Sequence, residues 1–327
     1  MELHDINRIL EEKLKMQGWT IEKPRKGRSK ESYVADCGDV RVFVKFDVSD
    51  HLLKRLAELR VAPPLLASGH HGGRPFVIQQ FVAGPYPERR WFAEHLSELA
   101  AFIRTYQNDE RLRALLTAKR DPHYRQHIAD ELDAMRGQLE TASSPIICSD
   151  LIRDGFRRLQ AQAKVLEEVK LVPTHTDPNR KNFILSGEQF VMIDWDDLFL
   201  SDPLRDVGLL LWWYVPKDKW KEFFGAYGQT VDRALLHRLY WWAAQRSLAI
   251  GGSRGGPREK SSWSSSTTFL PPSARRTILT ADGHHYACYN ASIVTPRMLS
   301  WVLARAGDRH EANHGARYRY GPHATAP

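Results

Sequence analysis

The feature that most constrains this chain is a β-hairpin predicted over residues 182–193, with oxygen-bearing side chains at both of its ends. Two short apolar runs are separated by Ser-Gly-Glu, a sequence typical of a tight turn. Such a hairpin places Asn182 at its entrance and Asp194 at its exit, so the two residues are expected to lie side by side. Asp177 precedes the hairpin in the same loop. The spacing therefore predicts that these polar side chains converge at one mouth of the fold.

This arrangement suits phosphoryl transfer, which needs a carboxylate that orients the attacking hydroxyl and accepts its proton. The reaction also needs oxygen ligands for Mg²⁺, which binds through few protein groups in addition to the substrate phosphates. Asp177 fits the role of the base, and Asn182 and Asp194 fit the role of metal ligands. The alternative is that these residues only form turns, as Asp and Asn often do. Agreement of spacing and hairpin context at all of these positions favours the catalytic interpretation.

The same segment resembles the catalytic and metal-binding loops of the aminoglycoside phosphotransferase family, whose members are relatives of protein kinases. The family pattern of His-x-Asp and a following Asn is met by His175, Asp177 and Asn182. The Ile-Asp-Trp pattern that comes next in the family is met by residues 193–195. Thr176 stands where the family usually has Gly.

The resemblance implies a role for each residue of the motif. Asp177 would be the catalytic base, and Asn182 and Asp194 would hold Mg²⁺. Asp206 would brace the catalytic loop by accepting its backbone N–H groups. His175 would belong to the catalytic set as a residue that positions the loop, without transferring a proton itself, because a neutral His commonly makes two structural hydrogen bonds.

A kinase-like fold also needs a phosphate-covering loop and a strand lysine in its N-terminal part. A polar turn that contains Gly27, Ser29 and Ser32 opens onto a strand and resembles the family's nucleotide-binding loop. Residues 40–46 alternate with the period of two that is typical of a β-strand. Lys45 lies near the end of this strand, where its ammonium is expected to reach the α- and β-phosphates of ATP.

The acidic partner of Lys45 is the least defined part of the predicted site. Residues 52–59 carry apolar side chains at helical spacing, and in the family the acid lies near the start of the corresponding helix. Asp50 is the candidate at that position, although Asp is also a preferred N-cap residue. Glu58, near the end of the helix, is the alternative.

The crossover between the two expected lobes is marked by a strand pattern over residues 74–85 that ends at Gly-Pro. It resembles the family's connection from the last strand to the linker. Backbone groups from Gln80 to Val82 are therefore expected to bond the edge of the adenine ring.

We therefore expect an α+β, protein-kinase-like fold with two lobes, an N-terminal antiparallel sheet and a mainly helical C-terminal part. The 327 residues supply enough chain for such a core. Residues 1–84 are expected to form the nucleotide-binding lobe, and residues 85–250 the helical catalytic and substrate-binding lobe. Residues 251–327 read as a basic, low-complexity tail that is poorly ordered or replaced relative to the family.

Charge and composition limit the other possibilities. The net charge of +8 is concentrated in residues 251–327, which carry ten Lys/Arg and four Asp/Glu, so the rest of the chain is close to neutral. Nucleic-acid binding is therefore an alternative carried by the tail alone. The three cysteines form no Cys-x-x-Cys pair, which suits the cytoplasm. No apolar run approaches the roughly 20 residues of a membrane span.

The expected function is that of an ATP-dependent O-phosphotransferase that acts on a hydroxyl group of a small molecule. The resemblance makes an aminoglycoside-type antibiotic the leading acceptor. Asp196, Asp197 and Asp202 lie near the site in sequence and carry the charge that a polycationic acceptor needs. A kinase of a choline-like or amino-alcohol metabolite and a non-catalytic nucleotide-binding protein remain the alternatives. The sequence leaves open the choice between ATP and GTP.

Overall fold

The computed structural model describes residues 2–24, 31–118, 123–141, 150–187 and 189–253. The N-terminal part contains a five-stranded antiparallel sheet and two helices. Its elements are α1 (Leu3–Leu14), β1 (Thr20–Glu22), β2 (Ser32–Cys37), β3 (Val40–Phe46), α2 (Asp50–Glu58), β4 (Leu65–His71) and β5 (Arg74–Gln80). The strand order in the sheet is β1-β2-β3-β5-β4.

The two faces of this sheet have different environments. Val42, Val44 and Phe46 alternate along β3 and are fully buried in a core that includes the apolar face of α1. Because successive side chains of a strand point to opposite faces, Lys45 projects away from that core. The alternation read from the sequence thus leaves a single lysine on the face opposite α1.

The remainder of the described chain is mostly helical. Its helices are α3 (Arg89–Glu94), α4 (Leu96–Gln107), α5 (Glu110–Thr117), α6 (Tyr124–Thr141), α7 (Asp150–Ala163), α8 (Leu204–Tyr214), α9 (Trp220–Tyr227) and α10 (Arg233–Ser253). Two small antiparallel sheets pair β6 (Val172–Thr174) with β9 (Phe199–Ser201) and β7 (Phe183–Ser186) with β8 (Gln189–Met192). The expected α+β architecture, with an N-terminal antiparallel sheet and a mostly helical remainder, is confirmed.

The predicted hairpin corresponds to β7 and β8, whose register pairs Phe183 with Met192. The linker that follows β5 lies against this hairpin, since the Leu185 N–H donates to the carbonyl of Pro85 at 3.0 Å. Gly84 makes this approach possible, because a Cβ at this position would lie 1.9 Å from the carbonyl oxygen of Leu185. Only a residue without a side chain fits there.

The backbone divides into two compact units. Of the described residues, those up to 131 together with 166–243 form the first unit, which contains every described site residue discussed below. The second unit contains the described residues 132–141, 150–165 and 244–253. The helix α10 ends at Ser253, so residues 251–253 of the predicted tail are helical, and the rest of that tail lies outside the described residues.

None of the helices within the described ranges has the length and apolar character that a membrane crossing requires.

Candidate active site

The loop that carries the proposed base is fixed by hydrogen bonds on both sides of Asp177. The side-chain amide of Asn182 donates to the Asp177 carbonyl at 2.8 Å. The Asp177 N–H lies 3.3 Å from Nδ1 of His175. The amide nitrogen of Asn179 donates to Oδ2 of Asp177 at 2.9 Å. The backbone and one carboxylate oxygen of Asp177 are therefore held in place.

His175 is a buried residue whose two ring nitrogens both have structural partners. Nε2 lies 2.9 Å from the carbonyl oxygen of Ile193, which can only accept a hydrogen bond. Nδ1 accepts from the backbone N–H of Asp177. These partners require the neutral tautomer with the proton on Nε2. The geometry thus agrees with a positioning role for His175, as the sequence indicated.

Asp206 supports the loop from below and is fully buried. It accepts hydrogen bonds from the N–H of His175 at 2.7 Å, from the N–H of Thr176 at 2.8 Å and from the hydroxyl of Tyr106 at 2.9 Å. Burial raises the pKa of the Asp206 carboxyl, and these neighbours counteract that shift. The carboxylate satisfies two backbone donors that the bend of the loop leaves without a secondary-structure partner.

Thr176 has a positive φ of 74°, in the left-handed region that β-branched residues rarely occupy. In the His-x-Asp pattern described above, this middle position is usually Gly, which adopts that conformation at no steric cost. For a non-glycine residue the cost is roughly 1–2 kcal/mol. The hydrogen bond from Thr176 to Asp206 helps to hold the strained turn.

The hairpin brings the two proposed metal ligands together, as predicted. The Ile193 N–H donates to the carbonyl of Asn182 at 2.8 Å, so Asp194 follows directly beside Asn182. The side chain of Asp194 is 51% exposed. Since the nitrogen of the Asn182 amide is already bonded to Asp177, its oxygen is the atom with the capacity to bind a cation.

Lys45 lies against the same end of the hairpin. Its Nζ is 3.2 Å from Oδ1 of Asp194 and 2.6 Å from Oδ1 of Asp196. The side chains of Lys45 and Asp196 are both largely buried, with 12% and 11% exposure. The predicted strand lysine and the predicted metal ligand are thus brought into direct contact, although 149 residues separate them in sequence.

The predicted pair of Lys45 and Asp50 is not formed. Asp50 is the first residue of α2, and its carboxylate turns towards β4, where it accepts from the Ser68 hydroxyl at 3.0 Å and from the His51 N–H at 2.8 Å. The Ser68 hydroxyl on β4 and the His51 N–H therefore satisfy this acid. The alternative, Glu58, pairs with Arg55 at 2.9 Å.

The contact of Asp196 with Lys45 was not predicted from the sequence, which suggested Asp196 only as an acid for a polycationic acceptor. Its second oxygen, Oδ2, is buried and has no hydrogen-bond partner among the described residues. A buried acceptor without a donor is unusual and fits a position next to a cation. The only sequence signal was its place two residues after Asp194, in Ile-Asp-Trp-Asp.

The donor atoms gathered here are the oxygens of Asp194, Asp196 and Asn182, which are the hard ligands that Mg²⁺ prefers. Within the described part of the chain, no group of three or more His, Cys, Asp or Glu residues could hold a metal ion by itself. The hard oxygen donors named above would fit a Mg²⁺ ion that takes its other ligands from nucleotide phosphates and water, as this metal commonly does.

The predicted phosphate-covering loop is only partly described. Gly27 and Ser29 lie outside the described residues. Ser32 is buried at the start of β2 and pairs directly with Lys45 in the register of β2 and β3. Directly opposed residues of an antiparallel pair project from the same face, so Ser32 shares the face of Lys45.

At the predicted adenine edge, two of the three backbone N–H groups are already used. The N–H of Gln80 donates to Pro64 at 2.9 Å, and the N–H of Phe81 donates to Arg41 at 3.0 Å. Val82 has no backbone hydrogen-bond partner within the described residues. Among these positions, the geometry therefore leaves Val82 as the donor that could meet a nucleobase.

The acids considered for a polycationic acceptor do not form a common surface. Asp202 is fully buried and accepts from Tyr124 at 2.9 Å and from the Leu204 N–H at 2.8 Å. Asp196 faces Lys45. Asp197 is exposed. Two of these carboxylates are therefore committed to contacts within the protein.

A set of three aromatic rings lies in the helical part, on α8, α9 and α10. Trp212, Trp220 and Tyr240 have ring centroids between 5.8 and 6.5 Å apart. The Nζ of Lys217 lies 5.0, 5.9 and 5.8 Å from their centroids, respectively. We call these residues the aromatic triad. Its rings surround a single ammonium group at cation–π distances.

Comparison with known proteins shows which family this chain resembles in sequence. A family model described as "Phosphotransferase enzyme family" matches residues 43–242, which is more than half of the chain. The matched range includes Lys45, the loop that carries Asp177, and the aromatic triad.

Solved structures share the fold at low sequence identity. Choline kinase LicA from Streptococcus pneumoniae matches with a TM-score of 0.60 and 12% identity, over 93% of this chain and 99% of that chain. Spectinomycin phosphotransferase in complex with ADP and spectinomycin matches with a TM-score of 0.56 and 14% identity, over 76% and 86%. A thermostable aminoglycoside phosphotransferase mutant with AMP-PNP and hygromycin B matches with a TM-score of 0.54 and 15% identity, over 77% and 91%. These likenesses confirm the protein-kinase-like fold.

Proposed function

Since the chain belongs to the phosphotransferase enzyme family, we propose that it is an ATP-dependent O-phosphotransferase that acts on a hydroxyl group of a small molecule. The observation that carries the proposal is the convergence at the hairpin, where Lys45 contacts Asp194 and the Asp177 loop adjoins Asn182. Two of the similar structures hold ADP or AMP-PNP, which supports an adenine nucleotide as the donor.

The chemistry follows from the position of each group. Asp177 accepts the proton of the acceptor hydroxyl while that oxygen attacks the γ-phosphorus, and the bond between the γ-phosphorus and the bridging oxygen breaks so that ADP leaves. The ammonium of Lys45 pairs with the α- and β-phosphates. Asp194, Asp196 and Asn182 would hold Mg²⁺, which neutralises the charge on the phosphates. Asp206 and His175 keep the loop in the reactive geometry.

The test of this proposal is the Asp177→Asn variant, with Asp39→Asn, at an exposed position in the turn between β2 and β3, as a matched control. Loss of a general base lowers turnover by about 10²–10⁴-fold. We expect that loss for Asp177→Asn, with ATP affinity retained and with the control close to wild type, in a phosphoryl-transfer assay with ATP and a panel of alcohols. Turnover of Asp177→Asn within threefold of wild type would remove Asp177 from this role. Binding of ATP without transfer to any acceptor would instead favour a non-catalytic nucleotide-binding protein.

For the acceptor, we propose two classes. An aminoglycoside-type antibiotic is the candidate that the resemblance suggests. Such a polycation needs several exposed carboxylates, and of the acids considered only Asp197 is exposed, because Asp196 faces Lys45 and Asp202 is buried.

The aromatic triad favours the second class, an alcohol that carries one ammonium group, such as choline or ethanolamine. Aromatic faces bind quaternary ammonium groups, at about 0.5–2 kcal/mol per contact. Lys217 would have to leave the triad for such an acceptor to enter. Trp212→Leu should then raise the KM for choline by about 2–30-fold. Trp213→Leu, at the neighbouring position, is the matched control. Efficient transfer to aminoglycosides with no effect of Trp212→Leu would assign the first class.

A further inference from the structure

Asn179 lies between the proposed base and the proposed metal ligand Asn182, and both ends of its side-chain amide are engaged. Its oxygen accepts from the backbone N–H of Lys181 at 2.9 Å. Its nitrogen donates to Oδ2 of Asp177 at 2.9 Å. Because a backbone N–H can only donate, the orientation of the amide is fixed, with the oxygen towards Lys181 and the nitrogen towards Asp177.

The rest of Asp177 is already immobilised by the loop. Its carbonyl accepts from the N–H of Asn179 at 2.7 Å and from the side chain of Asn182 at 2.8 Å. Its own backbone N–H donates to Nδ1 of His175 at 3.3 Å. The torsion that turns the carboxylate about its last bond is the broad, weakly restricted one in an Asp side chain. The hydrogen bond from Asn179 restricts that torsion.

We propose that Asn179 is a positioning residue for the catalytic base: it holds Oδ2 of Asp177 and so presents Oδ1 to the hydroxyl of the acceptor. This inference rests on the proposed function. A neutral amide suits the task, because it orients the carboxylate without pairing its charge, whereas an Arg or Lys would compete with the proton that the base has to accept. Misplacing a reacting group by about 1 Å can cost about 10²-fold in rate.

If Asn179 only capped the helical turn, its side chain would need an acceptor but no donor. Asn179 is the N-cap of the short helical turn at Arg180–Asn182, and a cap needs only an acceptor. Ser supplies that acceptor equally well. Only the bond to Asp177 requires an NH₂ group at the end of a side chain of this length. Substitution can therefore separate capping from positioning.

The experiment compares Asn179→Ser with Asn179→Ala in the full-length protein. Ser keeps the cap and loses the donor to Asp177, whereas Ala loses both. We expect kcat to fall by about 10–100-fold in both variants, while the KM for ATP changes by less than about threefold. The unfolding midpoint should stay close to wild type in Asn179→Ser and fall in Asn179→Ala. A kcat of Asn179→Ser within twofold of wild type would overturn the proposal.

A double-mutant cycle with Asp177→Ala supplies the second readout. If Asn179 acts through the carboxylate, Asn179→Ser should cause no further loss of the residual turnover once Asp177 is removed. An equal additional loss in that background would show a role independent of Asp177 and would refute the inference. If Asp177→Ala alone retained full turnover, the proposed base itself would be wrong, so the two failures are distinguishable.

Discussion

Replacement of Asp206 by Asn is the sharpest test of how the fold supports the site, because it replaces one carboxylate oxygen by an NH₂ group and nearly preserves volume. The carboxylate has two oxygens that accept from three donors: Oδ2 takes the His175 N–H and the Tyr106 hydroxyl, and Oδ1 takes the Thr176 N–H. The amide of Asn has one oxygen. Its best orientation keeps that oxygen in place of Oδ2 and turns its NH₂ group towards Thr176.

The magnitude follows from that mismatch. A hydrogen bond to a charged group contributes about 1.5–3 kcal/mol, and a buried donor without a partner costs a further 1–3 kcal/mol or so. An amide is cheaper to bury than a carboxylate, which offsets part of the loss. We therefore expect the free energy of unfolding to fall by about 3–5 kcal/mol. The positive φ of Thr176 loses its support as well, so kcat should fall at least about tenfold as the loop relaxes.

The assay is denaturant unfolding together with steady-state kinetics, and Tyr106→Phe is the matched control. Phe removes one donor and leaves both backbone bonds to Asp206 intact, so its loss should be about 1–2 kcal/mol with nearly unchanged kcat. A change below about 1 kcal/mol for Asp206→Asn with normal turnover would refute the reasoning. Equal effects of the two variants would show that the phenol, and not the loop, is what Asp206 supports.

Three further predictions concern the nucleotide side and the linker. Lys45→Ala should raise the KM for ATP or lower kcat and leave the KM of the acceptor unchanged in steady-state assays; an effect confined to the acceptor would place Lys45 in the other pocket. Asp194→Ala should abolish turnover and weaken Mg-ATP binding in calorimetric titrations, while Asn182→Asp keeps part of the Mg²⁺ dependence; unchanged Mg²⁺ dependence in both would reject the metal site. Gly84→Ala should destabilise the protein by at least about 2 kcal/mol through its clash with the hairpin. Gly225→Ala, where a Cβ meets nothing within 4 Å inside α9, should be neutral or stabilise by up to about 1 kcal/mol, and equal effects of the two glycine variants would contradict the close approach.

Several features of the candidate site could be predicted from the sequence because they depend on residues that are close together in the chain. A tight hairpin brings its two ends together whatever the rest of the chain does, so Asn182 and Asp194 were expected to be neighbours and are. The period-two alternation of β3 likewise determined that Lys45 faces away from the apolar core. The roles assigned to these residues stay predictions until they are measured.

The errors and omissions concern contacts between distant segments. The partner of Lys45 was sought at Asp50 because the resemblance implies an acid near the start of that helix, but a strand-end ammonium takes whichever carboxylate the tertiary fold brings to it. The Ser68 hydroxyl on β4 and the His51 N–H satisfy Asp50 instead. The contact of Asp196 with Lys45 was missed for the same reason, since it joins segments that are far apart in the sequence.

The sequence by itself determined the local chemistry: which side chains stand at the ends of the hairpin, which face of the strand carries the lysine, and which Asp follows the histidine. Only the tertiary structure decided which carboxylates meet that lysine, that Asp202 is buried inside the protein, and that the strained turn at Thr176 rests on Asp206. The physical reason is the range of the interactions. Backbone periodicity and turn geometry act over a few residues, whereas ion pairs and burial depend on segments that only folding brings together.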